Sequence, residues 1–233
     1  MNTVLALVSA PSTSPRAQAT ARQGAAGLGG TWCLEGQCYR GIVWGPESWF
    51  DPAVGKLLRQ DLDFFPVVRG QRATPLILYI HPSRDTKTIH PGRRMLYDRL
   101  VQEARAWGFS VASVEYRHPG LDDLIDATPD NDIAAARRWL HAHAGPLGID
   151  AGNVFIVDQS RGTLGLRTAL QHRHDPAVRV NAAYSHHERT TFRGLEVARR
   201  FVAESDGLGF VDRIAPERAY DGVIPFFQRY LRA

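Results

Sequence analysis

Lysine is nearly missing from this chain of 233 residues, because Lys56 and Lys87 are the only two and arginine supplies the rest of its 28 basic groups. Against 24 acidic residues these leave a net charge of only +4, with the signs interleaved. No basic stripe of the kind that neutralises phosphates is present, which argues against nucleic acid as a partner. The arginine excess reads as coding bias rather than a recognition surface. No apolar run reaches the ~18 residues of a membrane-spanning helix. With two cysteines, no CxxC and no second pair, a disulfide-stapled scaffold and a zinc site both fall away. What remains, 44% hydrophobic and 22% charged, is an ordinary globular composition and excludes wholesale disorder and collagen.

The first 30 residues stand apart from the rest. Val4-Leu5-Ala6-Leu7-Val8 is a short apolar stretch, and Ala17-Gln18-Ala19 has the small-x-small shape of a signal-peptidase site, without a basic segment before it. Residues 1–30 are read as a disordered tail or a signal-peptide remnant, and 31–233 as the folded domain. Cys33 and Cys38 flank Glu35-Gly36 in an aromatic and β-branched stretch, 32–44, that reads as a hairpin. There they either bond across the turn or lie as buried thiols. The pair and the signal-like end lean towards a periplasmic or secreted location.

From residue 62 strands and helices alternate. Leu62-Asp63-Phe64-Phe65-Pro66-Val67-Val68 reads as a strand with Arg69-Gly70-Gln71 as its turn, and Leu76-Ile77-Leu78-Tyr79-Ile80 as a strand covered on both faces. Leu96, Leu100, Val101, Ala104 and Trp107 recur at helical spacing before Gly108. A strand over 110–116 follows, then a helix capped by Asn131 or Asp132 and ended by Gly145-Pro146. Val154-Phe155-Ile156-Val157 is the next buried strand, followed by a helix over 163–172 and a strand over 178–184. Residues 193–233 read as helical or loop material, with Val223-Ile224-Pro225-Phe226-Phe227 the only later apolar run. The pattern predicts an α/β fold: a mostly parallel sheet with helices on both faces.

Directly after the strand at 154–157 stands Asp158-Gln159-Ser160-Arg161-Gly162, and then a helix. A serine at a tight strand-to-helix turn has its hydroxyl lifted above the carboxyl edge of the sheet, where the next backbone N–H and the helix start stabilise an oxyanion. The G-x-S-x-G pattern is met only at Ser160 and Gly162. Asp158 takes the place of its first glycine, where helix and strand approach closely, so a strained or inactive turn is expected. A serine that merely caps the helix is the plainer alternative.

From about Leu62 to Thr191 the chain resembles the α/β-hydrolase fold superfamily in its esterase/lipase branch, with acetyl-esterase-like and feruloyl-esterase-like members. The resemblance rests on Tyr79-Ile80-His81, Trp107-Gly108-Phe109, Val114-Glu115-Tyr116-Arg117, the run 132–140, Gly148-Ile149-Asp150 with Asn153-Val154, and the turn at Ser160. It implies Ser160 as nucleophile, the N–H of Arg161 as one oxyanion donor, and a second donor from the loop after His81. Where two glycines normally follow that histidine the chain has Pro82 and Ser83; proline has no N–H, so the donor falls to Ser83 or Arg84. His81, Asp158 and Gln159 are expected to line the pocket.

The fold places its triad in the order Ser, acid, His. No histidine follows His187. The last strands of the sheet, with the acid and histidine on their exits, are therefore expected to be missing from a domain incomplete at its C-terminus. Local substitutes are His186 or His187 as base, oriented by Glu188 or Asp158. The implied function is serine-dependent hydrolysis of a small carboxylic ester with no cofactor. The alternative is a non-catalytic relic, a pseudoenzyme whose pocket binds a small molecule. Histidine spacing supplies no metal site: His141 and His143 point to different faces of a helix, and His172 and His174 straddle a helix end. His81 and His90 flank a loop with Asp85 that reads as cleft lining.

Overall fold

The computed structural model describes residues 31–34, 37–51, 56–67, 72–81, 94–117, 128–159, 164–186, 209–213 and 222–233, with the backbone alone for 31–40, 50, 51, 56, 94–98, 128–130, 185, 186 and 209–213. The strands are β1 (Thr31–Leu34), β2 (Gln37–Asp51), β3 (Lys56–Phe65), β4 (Thr74–Ile80), β5 (Ser110–Val114), β6 (Ile149–Asp158), β7 (Ala182–His186) and β8 (Gly209–Arg213). The helices are α1 (Arg94–Ala106), α2 (Thr128–Ala142), α3 (Ala144–Leu147), α4 (Leu164–Gln171) and α5 (Val223–Gln228). All eight strands join one sheet in the order β1-β2-β3-β5-β4-β6-β7-β8. The first three and the β3–β5 seam are antiparallel; every pairing from β5 through β4, β6 and β7 to β8 is parallel.

The central strands lack polar alternation because both of their faces are covered. Leu76, Leu78, Ile80, Val154 and Ile156 pack on one side with Ile133, Ala136 and Leu140 of α2 and Leu164, Leu166 and Ala169 of α4. Ile77, Tyr79, Phe155 and Val157 pack on the other with Leu100, Val101 and Ala104 of α1 and Val223, Ile224, Phe226 and Phe227 of α5. The chain leaves β4 one way, through α1 to β5. It leaves β6 the other way, through α4 to β7. Crossovers of one hand running in opposite directions put their helices on opposite faces. They also open a crevice between the carboxyl ends of β4 and β6, the switch point at which open α/β sheets bind ligands.

Several elements differ from the sequence pattern. β4 does not pair with β3, although the two are consecutive; β5 lies between them. The strand expected over 178–184 begins only at Ala182, because Asp175 holds a turn, its carbonyl accepting from the amides of Val178 and Arg179. Val178 and Val180 are buried without being in the sheet. α2 starts at Thr128, so Asn131 and Asp132 lie inside it rather than at its cap. Gly145-Pro146 belongs to α3, which ends instead at Gly148 in the left-handed conformation, φ 68°. In the stretch read as helical or loop material lies the parallel edge strand β8. Val223 to Phe227 is helical despite Pro225, which stands in the first turn where its missing N–H costs nothing.

At the amino end of β6 the C-terminal segment is pinned by asparagines. Asn153 donates to Asp150 Oδ2 at 2.7 Å and to the Arg232 carbonyl at 3.0 Å, and accepts from Arg232 N at 2.7 Å. Asn181 donates to Asn153 Oδ1 and to the Tyr230 carbonyl, both at 3.1 Å. Nearby, Arg137 of α2 is 1% exposed and meets the Ala151 carbonyl at 3.3 Å, while its Nε and Nη1 have no hydrogen-bond partner among the described residues. Burial pulls its guanidinium down to about 10, against the opposing pull of Asp175.

Candidate active site

The site is built where β4 and β6 end side by side. Ile80 is the ladder partner of Asp158, and the N–H of Gln159 donates to the Ile80 carbonyl at 2.9 Å, carrying the pairing one residue past the strand. Gln159 Oε1 accepts from the buried Tyr79 hydroxyl at 2.5 Å. Two bonds to β4 thus hold the residue that precedes Ser160. On the other side of β6, Ser185 is the partner of Asp158, so His186 stands level with Gln159 on the neighbouring strand.

Asp158 is completely buried. Its Oδ2 accepts from the N–H of Leu166, the third residue of α4, at 3.1 Å. A carboxylate there satisfies one of the donors that a helix start leaves over and is favoured by the helix dipole. Room for it comes from Gly165, where an added Cβ would lie 2.9 Å from Ile156 Cγ2 and 3.1 Å from both Asp158 Oδ2 and Ile80 Cγ1.

His81, also fully buried, is engaged on the β5 side of β4. Its Nε2 stands 3.4 Å from Glu115 Oε1, its ring stacks on Tyr116 with centroids 4.5 Å apart, and its carbonyl accepts from the Tyr116 hydroxyl at 2.5 Å. The next residue, Arg117, grips Asp132 of α2 in a bidentate pair at 2.8 and 2.6 Å and reaches Glu47 of β2 at 3.0 Å. These contacts fix the exits of β4 and β5 beside the crevice. Bidentate guanidinium–carboxylate pairs hold geometry as well as energy.

The backbone is similar to that of a bacterial heroin esterase, with a TM-score of 0.58 at 19% sequence identity over 94% of this chain and 92% of that chain. The chain has the α/β-hydrolase fold. Two further similar structures are the esterase LipW from Mycobacterium marinum and the thermostable carboxylesterase EstE1 from a metagenomic library. LipW gives a TM-score of 0.49 at 18% identity, covering 83% of this chain and 68% of that one. EstE1 gives 0.45 at 20%, covering 76% and 61%. No protein-family model matches the sequence, and no curated protein does.

Within this α/β-hydrolase fold the residues singled out from the sequence divide into two groups. The ladder sets the backbones of Asp158 and Gln159 beside Ile80 and so next to His81, their side chains meeting the Leu166 amide, the Tyr79 hydroxyl, and Glu115 with Tyr116 in turn, and His186 ends the adjoining strand. Ser160, Arg161, Ser83, Arg84, His187 and Glu188 lie outside the described residues, as do His90, Asp85 and the 1–30 tail. Tyr79, Glu115, Tyr116 and Gly165 were given no role from the sequence. A carboxylate and two phenols at the ends of otherwise apolar buried strands are the signal that marks three of them; Gly165 has none, since its partner is apparent only in space. Among the described residues no helix is long and apolar enough to cross a membrane.

Proposed function

We propose that this protein is a serine carboxylesterase acting on a small ester. Ser160 Oγ attacks the ester carbonyl carbon while its proton passes to a histidine. The resulting oxyanion is met by the backbone N–H of Arg161 and that of Ser83, or of Arg84. Collapse breaks the carbon–oxygen bond, and the alcohol leaves with the proton. Water then attacks the acyl-enzyme with the same base, releasing the acid and restoring the serine. His186 or His187 serves as that base, with Glu188 as its orienting carboxylate, since Asp158 Oδ2 is engaged by the Leu166 amide of α4.

The observation that carries this reading is positional. The polypeptide leaves β6 at the switch crevice, Gln159 is tied to β4, and α4 begins at Leu164. Ser160 belongs to the five residues, 159–163, that join β6 to α4 at the carboxyl edge of the sheet, and that position, in a fold shared with a bacterial heroin esterase, supports its role as nucleophile. The test is hydrolysis of p-nitrophenyl acetate by the parent chain and by Ser160→Ala. Turnover is expected to fall by about a thousandfold or more in the variant. His186→Ala and His187→Ala identify the base by which of them falls comparably. A parent without Ser160-dependent turnover is instead the non-catalytic, ligand-binding form of this scaffold.

A further inference from the structure

Asp158 stands at the head of the turn that holds Ser160, yet the ester chemistry above gives it no task. Its carboxylate is 0% exposed and reaches across to the Leu166 amide at 3.1 Å. One side chain therefore bridges the last residue of β6 and the third of α4, spanning the connection that contains Ser160. The bridge needs space, and Gly165 provides it: a Cβ there would press on Asp158 Oδ2 at 3.1 Å and on Ile156 Cγ2 at 2.9 Å. Close approach of strand and helix requires that bulk be absent from one of the two. Here the bulk stands on the strand and the gap on the helix.

We propose that Asp158 and Gly165 form a matched pair of positioning residues, setting the span between β6 and α4 and with it the placement of the Ser160 hydroxyl. The pair rests on Ser160 being the nucleophile. Because Gln159 is already fixed to β4 at 2.9 and 2.5 Å, a change in the span falls on the few residues that follow it. Displacing a nucleophile by about 1 Å costs on the order of a hundredfold in rate.

The test compares four variants in serine-dependent hydrolysis of p-nitrophenyl acetate. Asp158→Ala removes the bridge, and Gly165→Ala crowds it; each is expected to lower kcat about tenfold or more while KM stays within about twofold. Asp158→Asn keeps an acceptor oxygen and the shape of the side chain, and is expected to stay within about threefold of the parent. The double variant Asp158→Ala with Gly165→Ala is expected to be at least about threefold more active than the product of the single effects predicts, since losing Asp158 Oδ2 relieves one of the three close contacts of the new methyl, those with Ile156 and Ile80 remaining. An Asp158→Ala enzyme with parental kcat, an Asp158→Asn enzyme as impaired as Asp158→Ala, or strictly multiplicative effects would each overturn the pair. If Asp158→Ala does not fold, Asp158→Asn and Gly165→Ala decide it: parental kcat in Gly165→Ala, or a tenfold loss in Asp158→Asn, overturns it. Ser160→Ala, measured alongside, separates the two ideas. Turnover that survives Ser160→Ala removes the serine reading, and the pair with it; turnover lost there but unchanged in the Asp158 and Gly165 variants removes the pair alone.

Discussion

Truncating Asn153 offers the sharpest check on how the end of the chain is held. This side chain, 5% exposed, makes four hydrogen bonds, to Asp150 Oδ2, Asn181 Nδ2 and both the amide and the carbonyl of Arg232. At about 1 kcal/mol net each, the four contribute roughly 4 kcal/mol. Not all of that is lost in Asn153→Ala. Arg232 is exposed, so water replaces its lost partners, and Asn181 keeps the Tyr230 carbonyl at 3.1 Å. The expected cost is therefore about 2–3 kcal/mol, which for a chain of this size lowers Tm by roughly 4–12 °C. The loss is specific to the tail. In a chain ending at Leu231 the same substitution should cost about 1–2 kcal/mol less, because two of its four bonds are already gone. Thermal and urea unfolding of the four proteins in this cycle measure the coupling. A Tm shift of Asn153→Ala under about 1 °C, or an equal cost in both backgrounds, would refute the reasoning. Because Asn153 lies at the amino end of β6, away from the β4–β6 crevice, turnover well below Tm should not change.

Three other outcomes follow from features already described. Arg137→Met should leave stability unchanged or raise it by about 1–2 kcal/mol, since it removes a buried guanidinium with two nitrogens unmatched among the described residues; a loss above about 1 kcal/mol in urea unfolding would show that the charge is satisfied after all. Desolvation pulls the Asp175 carboxyl up, but the Ala177 amide, Arg138 and His172 together hold it below its ordinary value. Its contribution is thus present above the unfolded pKa of about 3.9 and lost as pH falls through the lower folded one. It should be under about 1 kcal/mol for so exposed a pair, and the stability gap between parent and Asp175→Asn, followed by urea unfolding from pH 6 to 2, must close at the acid end. Cys33 and Cys38 are ladder partners in the antiparallel β1–β2 pair, where Cα separations of about 4.5–5.5 Å fall in the disulfide range. Air-purified protein should therefore show a mass about 2 Da below the reduced form and no titratable thiol; two reactive thiols would contradict it.

The centre of the fold was legible because burial on both faces writes itself as unbroken apolar runs, as in residues 76–80 and 154–157, and because α1 and α2 carry one apolar stripe each. β8 was not: Gly209-Phe-Val-Asp-Arg holds two apolar residues, and an edge strand needs no more. The start of β7 was misplaced since Val178 and Val180 are buried by a turn built on Asp175, and burial without pairing looks the same in one dimension as burial within a sheet. At the candidate site, the sequence order of strand, turn and helix puts Asp158 and Gln159 at the carboxyl end of β6, where the ladder sets them beside Ile80. How an aspartate is accommodated where glycine is usual did not follow. The answer is Gly165, seven positions on, meeting Asp158 only once α4 has packed back onto β6. Glu115 and Tyr116 belong to the run 114–117 that carries the resemblance, but their grip on His81 depends on β5 lying next to β4, which chain order alone does not reveal.

The position of β4 has a consequence for how the protein is made. Both of its sheet neighbours, β5 and β6, are encoded after it. The antiparallel strands β1, β2 and β3 can associate as soon as they emerge from the ribosome, but Leu76, Ile77, Leu78, Tyr79 and Ile80 have no partner on their second side until β6 has been synthesised. At about 5–20 residues per second, a wait of roughly 80 residues keeps that greasy segment uncovered for about 4–16 seconds. The middle of the finished sheet is thus its most vulnerable stretch during birth, the one a holdase chaperone would have to shield in that interval.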